Sequence, residues 1–318
     1  MSGTPIEDNA GEYFTVLNLV APTRFPHYQG YLDRYVDTYD TFYSTRIGGL
    51  KDIDRFKEDT NDIVIRRTKD EVLKDLPVFQ RLFHHVELDA KDNKVYDKAM
   101  KELEDLFYDD KQSEFEKSGS MIAIMSRLRH ICGLAKIDAC VEFVTEFLLS
   151  SDRKITIFTH HNDVMDILVG KLNKWMEEGN FPAVEKLHAG LDGNGRASLV
   201  ERFKDGPARV MVASTLASGE GINLQFCSDA ILLERQWNPA KEEQAEARFH
   251  RFGQKENVSV TYMIASGRID EYFTELVERK RAIVAGALDG KEIQWDQQSL
   301  MKELAEMLIS KGKKKWVL

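Results

Sequence analysis

Lys154-Ile155-Thr156-Ile157-Phe158-Thr159 and, further on, Arg209-Val210-Met211-Val212-Ala213-Ser214-Thr215 are the stretches whose reading decides the fold. Each is a short apolar run rich in β-branched residues, entered from charged residues and followed by an amphipathic stretch. Such runs suit strands covered on both faces, as in a parallel sheet built of βαβ units. From Cys140 onward the same texture repeats. It predicts strands at 155–159, 184–188, 209–213, 230–234 and 258–264, helices at 163–178, 195–204 and 240–252, and a long closing helix at 269–287. In an open parallel sheet ligands collect beyond the carboxyl ends of the strands, so the segments after Ala213 and Glu234 are the places to look for chemistry.

Bulk properties permit this and narrow the partners. The chain has 318 residues, 42% of them hydrophobic and 31% charged, enough for two domains with real cores. Its net charge of -9 excludes a surface coated in positive charge, so a nucleic-acid contact would have to be local. Cys132, Cys140 and Cys227 lie far apart, which predicts reduced thiols and no metal site; Cys132 beside His130 reads as a buried helical thiol. No apolar run reaches membrane-spanning length, and Met1-Ser2-Gly3-Thr4-Pro5 has neither a basic nor an apolar export region. The expectation is an intracellular protein with no membrane partner, in the nucleus or the cytoplasm according to the organism.

Ahead of the sheet, a turn at Gly3-Thr4-Pro5 leads into an amphipathic helix through Tyr13, Phe14, Leu17 and Leu19. From Pro22 to Arg129 the pattern reads as helical and highly charged. Tyr28, Tyr31, Tyr35, Tyr39, Phe42 and Phe56 form an aromatic core stripe, and a charged helix is expected at 91–107. At the other end, Leu300, Leu304, Met307 and Leu308 are spaced as in a helix and run into Lys311-Gly312-Lys313-Lys314-Lys315. This tail reads either as a frayed terminus or as a contact for phosphates.

Two segments carry the chemistry. Ser214-Thr215-Leu216-Ala217-Ser218-Gly219-Glu220-Gly221-Ile222-Asn223-Leu224 follows a buried strand with glycines and hydroxyls, which lets backbone amides approach a phosphate or simply makes a turn. Trp237-Asn238-Pro239 then opens a helix, with Asn238 as N-cap, Pro239 as first residue and Gly253 as stop. On such a helix Gln244, Arg248 and Arg251 stand at i, i+4 and i+7 and share a face. Two guanidinium forks pointing one way suit the oxygens of a phosphoryl group; the same residues could equally form a solvated face paired with Glu243, Glu246 or Glu275.

Taken in order, Ser2-Gly3-Thr4-Pro5-Ile6 with Asn9 and Glu12, Ile65-Arg66-Arg67-Thr68-Lys69 with Leu76-Pro77, Lys154 to Thr159, Gly219 to Leu224, Trp237-Asn238-Pro239 and Gln244 to Gln254 resemble the motifs of SWI/SNF-type remodelling ATPases. The resemblance runs from Ser2 to about Asp289. It implies a RecA-like α/β second motor lobe at 131–294, preceded by a remnant of a first lobe at 1–20 and a helical protrusion at 21–130, with a basic tail at 295–318. It further implies arginine fingers at Arg248 and Arg251, a nucleotide-facing site at Gly219, Glu220, Gly221 and Gln244, and DNA-backbone contacts at Ser214, Thr215, Trp237 and Asn238. Gly3 and Thr4 would couple hydrolysis to lobe movement. ATP and Mg2+ would be held mainly by an absent first lobe, and the partners would be duplex DNA, that lobe and a protein bound on DNA.

Departures are visible. Leu216 replaces a basic contact, Glu220 places an acid near the nucleotide, and Ala247 stands where the family often has aspartate. No Gly-x-x-x-x-Gly-Lys-Ser/Thr phosphate cradle occurs, nor an acidic pair after an apolar strand to hold Mg2+. The expectation is a piece of a longer DNA-translocating ATPase, inactive alone. A strand-separating helicase lobe and a scaffold that kept the fold without its chemistry stand as alternatives.

Overall fold

In this computed structural model, which describes residues 10–40, 45–64, 76–108, 114–215, 222–237, 239–287 and 303–310, the apolar runs become strands nearly as read. β4 (Ile155–Thr159), β5 (Glu185–Leu187), β6 (Val210–Ser214), β7 (Asp229–Leu232) and β8 (Val258–Ala265) join β3 (Phe79–Val86) in one sheet of order β3-β8-β7-β4-β6-β5. Every pairing in it is parallel. The chain divides into two compact units, Met1–Lys74 with Arg281–Leu300 and Asp75–Lys280 with Met301–Leu318, and the sheet belongs to the second.

Strand residues alternate between two cores. Phe158, Met211, Ala213, Ala230, Leu232 and Tyr262 pack on one face with Leu199 and Phe203 of α8 (Gly193–Asp205). Ile155, Ile157, Val210, Val212 and Ile231 pack on the other with α6 (Ile137–Ser150) and α7 (Asn162–Glu178). Both faces are buried, which is why the central strands lack polar alternation. Each large side chain buried in this way contributes roughly 1.5–3 kcal/mol. The helix start of α8 is fixed by Asp192, whose carboxylate accepts from Gly195 N at 2.7 Å. Cys132, Cys140 and Cys227 are buried free thiols, and burial pushes the last two up to about 12.

In the first unit, a 3-10 turn at Ala10–Glu12 leads into α1 (Tyr13–Val20), followed by α2 (Tyr28–Tyr35) and α3 (Ile53–Thr60). Tyr31, Tyr35 and Phe56 are buried there as the aromatic stripe predicts. Tyr35 meets Phe56 edge to face at 5.5 Å, and the Tyr31 hydroxyl donates to Ala10 O at 2.8 Å. Tyr28 is 41% exposed, and the side chains of Tyr39 and Phe42 lie outside the described residues.

Several expectations are corrected. The stretch 22–129 is not wholly helical: β1 (Val36–Asp40) and β2 (Thr45–Leu50) form an antiparallel pair, and β3 lies in the main sheet. Its charged helix does form, as α4 (Ala90–Phe107), followed by α5 (Glu114–Ala135). Leu19 is 83% exposed while Leu17 is buried, because residues two apart cannot share a helix face. The helix after Trp237 is α9 (Pro239–Glu246), six residues shorter at its far end than the pattern suggests. α10 (Ile269–Ala287) closes the fold as read, and a last helical segment covers 303–310.

Candidate functional site

β4, β6 and β7 all point their carboxyl ends the same way, so residues that follow them gather at one edge. Ser214 ends β6, and Thr215 after it donates its hydroxyl to Thr159 O at 3.0 Å; both residues are buried. After β7 comes Glu234, fully buried beneath the end of β4. Its carboxylate accepts from His160 N at 2.7 Å, His161 N at 3.0 Å and His161 Nδ1 at 2.5 Å. Burial would raise the Glu234 carboxyl, but the hydrogen bonds and charge of His161 outweigh it and hold the group below its ordinary value. Gly133 on α5 makes room, since a Cβ there would stand 2.7 Å from Glu234 Oε1.

Arg129, on the same helix, is 2% exposed and donates to Arg235 O at 3.2 Å. Its guanidinium lies 4.6 Å from the centre of the half-buried Trp237 ring, which meets Phe273 edge-on at 5.7 Å. Arg129 Nε and Thr159 Oγ1 are buried without a hydrogen-bond partner, and burial lowers the Arg129 pKa. Burial, followed by the charges of Arg129 and His161, also brings His160 down to about 4.

The arginines of the next segment are brought together by a turn. α9 is anchored by Glu242, which takes Arg235 Nε and Nη2 at 2.8 Å each and Gln236 N at 2.8 Å, all deeply buried. It ends at Glu246, beyond which residues 247–253 turn and Gly253 adopts φ 93°. Arg248 and Arg251 therefore do not share a helix face with Gln244 as their spacing predicts. The turn nevertheless keeps the two half-buried arginines close: burial first, and then the Arg251 charge, lowers the Arg248 pKa. Phe249, between them, plugs into the core against Phe158 at 5.8 Å. Gln254 Nε2 donates to Cys227 O at 3.0 Å, and Leu224 N donates to Arg248 O at 3.1 Å. The segment that follows the glycine-rich sequence is thus bonded to the backbone that carries the first arginine.

Of the residues singled out by sequence, Ser214 closes β6 with Thr215 next to it, Trp237 follows β7 and packs on Arg129 and Phe273, and Gln244, Arg248 and Arg251 lie on α9 and its following turn. Gly3, Thr4, Gly219, Glu220, Gly221 and Asn238 lie outside the described residues. Sequence reasoning missed Arg129, His160, Glu234 and Glu242, and it named Glu246 only as a possible partner of Arg248 and Arg251, whereas the structure pairs it with Arg81. Glu242 and Glu246 stand at i and i+4, which marks a shared helix face, but nothing local names the distant arginines they meet.

Comparisons with known proteins agree with this architecture. The SNF2-related domain matches residues 1–136 and the helicase conserved C-terminal domain matches residues 135–253. The DNA annealing helicase and endonuclease ZRANB3 of Mus musculus is 27% identical over 306 residues, 92% of this chain and 27% of that protein. The SWI/SNF-related matrix-associated actin-dependent regulator of chromatin subfamily A-like protein 1 of Xenopus laevis is 29% identical over 296 residues, 90% of this chain and 29% of that protein. The chain therefore spans less than a third of either relative's length. The Sulfolobus solfataricus SWI2/SNF2 ATPase core in complex with dsDNA superposes with a TM-score of 0.59 at 22% identity, over 98% of this chain and 65% of that one, and shows the RecA-like fold. The chain belongs to the SWI/SNF-type helicase-like family, as an SNF2-related segment joined to a helicase C-terminal domain.

Proposed function

We propose that this chain is the second motor lobe, with the end of the first, of an ATPase that tracks along duplex DNA, and that Arg248 and Arg251 are its arginine fingers. The observation that carries the reading is the pair of half-buried arginines on one braced turn after α9, where burial first, and then the Arg251 charge, lowers the pKa of Arg248. Forked guanidinium groups match phosphoryl oxygens, and two of them on one turn suit a polyanion. Arg248 and Arg251 would hold the γ-phosphoryl oxygens of ATP, where charge builds up in the transition state, and could each be worth about 10³ to 10⁵ in rate. The remaining phosphates and Mg2+ would be held by a first lobe, since the sequence carries no phosphate cradle. By itself the chain would then bind and orient without hydrolysing.

Trp237, stacked on Arg129 and half exposed, is the proposed contact to the DNA backbone, and the family resemblance assigns the same role to Ser214, Thr215 and Asn238. The duplex-bound archaeal core of the same fold supports a duplex partner. ATP hydrolysis by a protein carrying both lobes, with and without duplex DNA and beside this chain alone, tests the reading. Strong duplex stimulation of the two-lobe protein with a silent single chain is expected. A two-lobe protein silent with duplex present would leave a scaffold.

A further inference from the structure

Glu246 is fixed from both ends. Its side chain takes Arg81 Nε on Oε1 and Arg81 Nη2 on Oε2, each at 2.7 Å, and the Tyr262 hydroxyl donates to Oε1 at 2.7 Å. Its backbone carbonyl accepts from Phe249 N at 3.1 Å and His250 N at 3.2 Å, the residues between and beside the two arginines. The carboxylate is 5% exposed and the Arg81 side chain 29% exposed. A carboxylate gripped by a bidentate guanidinium and a hydroxyl has one orientation left, so the carbonyl on the same residue, and the turn hanging from it, inherit that orientation.

β3 and its lead-in support the same turn at two more places. His250 Nε2 is 2.8 Å from Pro77 O, and the His250 ring lies 5.3 Å from Phe79, over which Arg81 itself stacks at 5.2 Å. Burial works against the Arg81 charge, but the hydrogen bonds and charge of Glu246 overcome it and raise its pKa. Largely buried ion pairs add little stability over apolar groups of the same size; what they add is geometry. Here the geometry is spent on the residue from which Arg248 and Arg251 depart.

We infer that Arg81 and Glu246 are positioning residues that aim Arg248 and Arg251, a role that rests on the finger reading above. Arg81 comes from the edge strand, 165 residues before its partner.

The test measures kcat and KM for ATP in the two-lobe protein with saturating duplex. Arg81→Ala is expected to lower kcat roughly 10²-fold, the scale of a misplacement of about 1 Å, with KM little changed. Arg81→Lys, which keeps the charge but cannot form both bonds, should fall between Arg81→Ala and the unaltered protein, and it carries the test if Arg81→Ala does not fold. In an Arg251→Lys background the further loss from Arg81→Ala should largely vanish, because the two act through one turn. A loss of the same size in both backgrounds, or an Arg81→Lys variant at full kcat, overturns the positioning role and leaves a structural pair. The two readings fail separately: Arg251→Ala at full kcat removes the fingers themselves, whereas a silent Arg251→Ala with Arg81 variants at full kcat removes only the positioning.

Discussion

Two arginine sites sit on the same sheet and handle charge in opposite ways. At the turn after α9, Arg248 and Arg251 are half exposed, and the carboxylates Glu242 and Glu246 of the helix before them are each gripped by a bidentate arginine. Beside β7, Arg129 is sunk out of water, keeps one unpartnered nitrogen, and spends its face on the Trp237 ring. The difference separates a charge presented outward from a charge that fixes a neighbour. On the proposed reading, the bonded shell of the first site holds the cations where they would meet an anion. In the second the cation is the support and an indole is what it offers.

That contrast can be broken by substitution. The largest effect is expected from Arg251→Ala in the two-lobe protein: duplex-stimulated kcat should fall by about 10³-fold or more while ATP binding, measured by equilibrium titration, persists, since the group acts on charge that develops in the transition state. Retained hydrolysis would make the outward charge ornamental. Glu242→Ala should cost about 3–5 kcal/mol in denaturant unfolding, because it strands Arg235, itself 2% exposed, without its carboxylate. A cost near zero would mean that the shell behind the turn is not rigid.

Trp237→Ala sharpens the other side. Duplex stimulation should drop by roughly tenfold, on the scale of one aromatic contact to nucleic acid, with basal hydrolysis little affected. Equal losses in basal and stimulated rates would return Trp237 to a packing role. His160, held neutral with its pKa near 4, adds a pH signature. Its folded value lies below the unfolded value, so the unfolded chain binds the proton first and stability falls as pH drops from about 6.5 towards 4. Discounted for partial exposure, the loss is on the order of 1 kcal/mol, and His160→Gln should remove it from the unfolding profile. The smallest effect is expected for Arg202→Ala, whose side chain is 60% exposed in its pair with Glu185, and the unfolding midpoint should move little.

The central strands were legible because burial on both faces leaves an unbroken apolar run, as in Val210-Met211-Val212-Ala213. β3 was not: Phe79-Gln80-Arg81-Leu82-Phe83-His84-His85-Val86 lies at the sheet edge, where Leu82 and Phe83 stay about two-fifths exposed and neither strict alternation nor an apolar run develops. The β1–β2 pair hid behind aromatic spacing that mimics a helix. At the site, the residues after Trp237 announced a helix start correctly, yet its end at Glu246 depends on partners from β3 and β8 that no local pattern contains. Arg248 and Arg251 come together through that turn and not through helical periodicity. Glu234 and His160 carried no signal, since a lone acid after a strand and a pair of histidines have many ordinary uses.

The register of β3 has a consequence for how the molecule is made. Phe79 pairs with Val258 and Val86 with Ala265, so one of the earliest strands of the sheet to leave the ribosome finds its partner only when the last strand has been synthesised. Closing a loop of that length adds only modestly to the entropy cost, but pairings between residues so distant slow the search for them. Until then Arg81 has no strand neighbour, and Glu246, made shortly before β8, lacks the Tyr262 hydroxyl. The clamp on the turn is therefore among the last things the growing chain can complete, and a polypeptide cut before β8 would have to do without it.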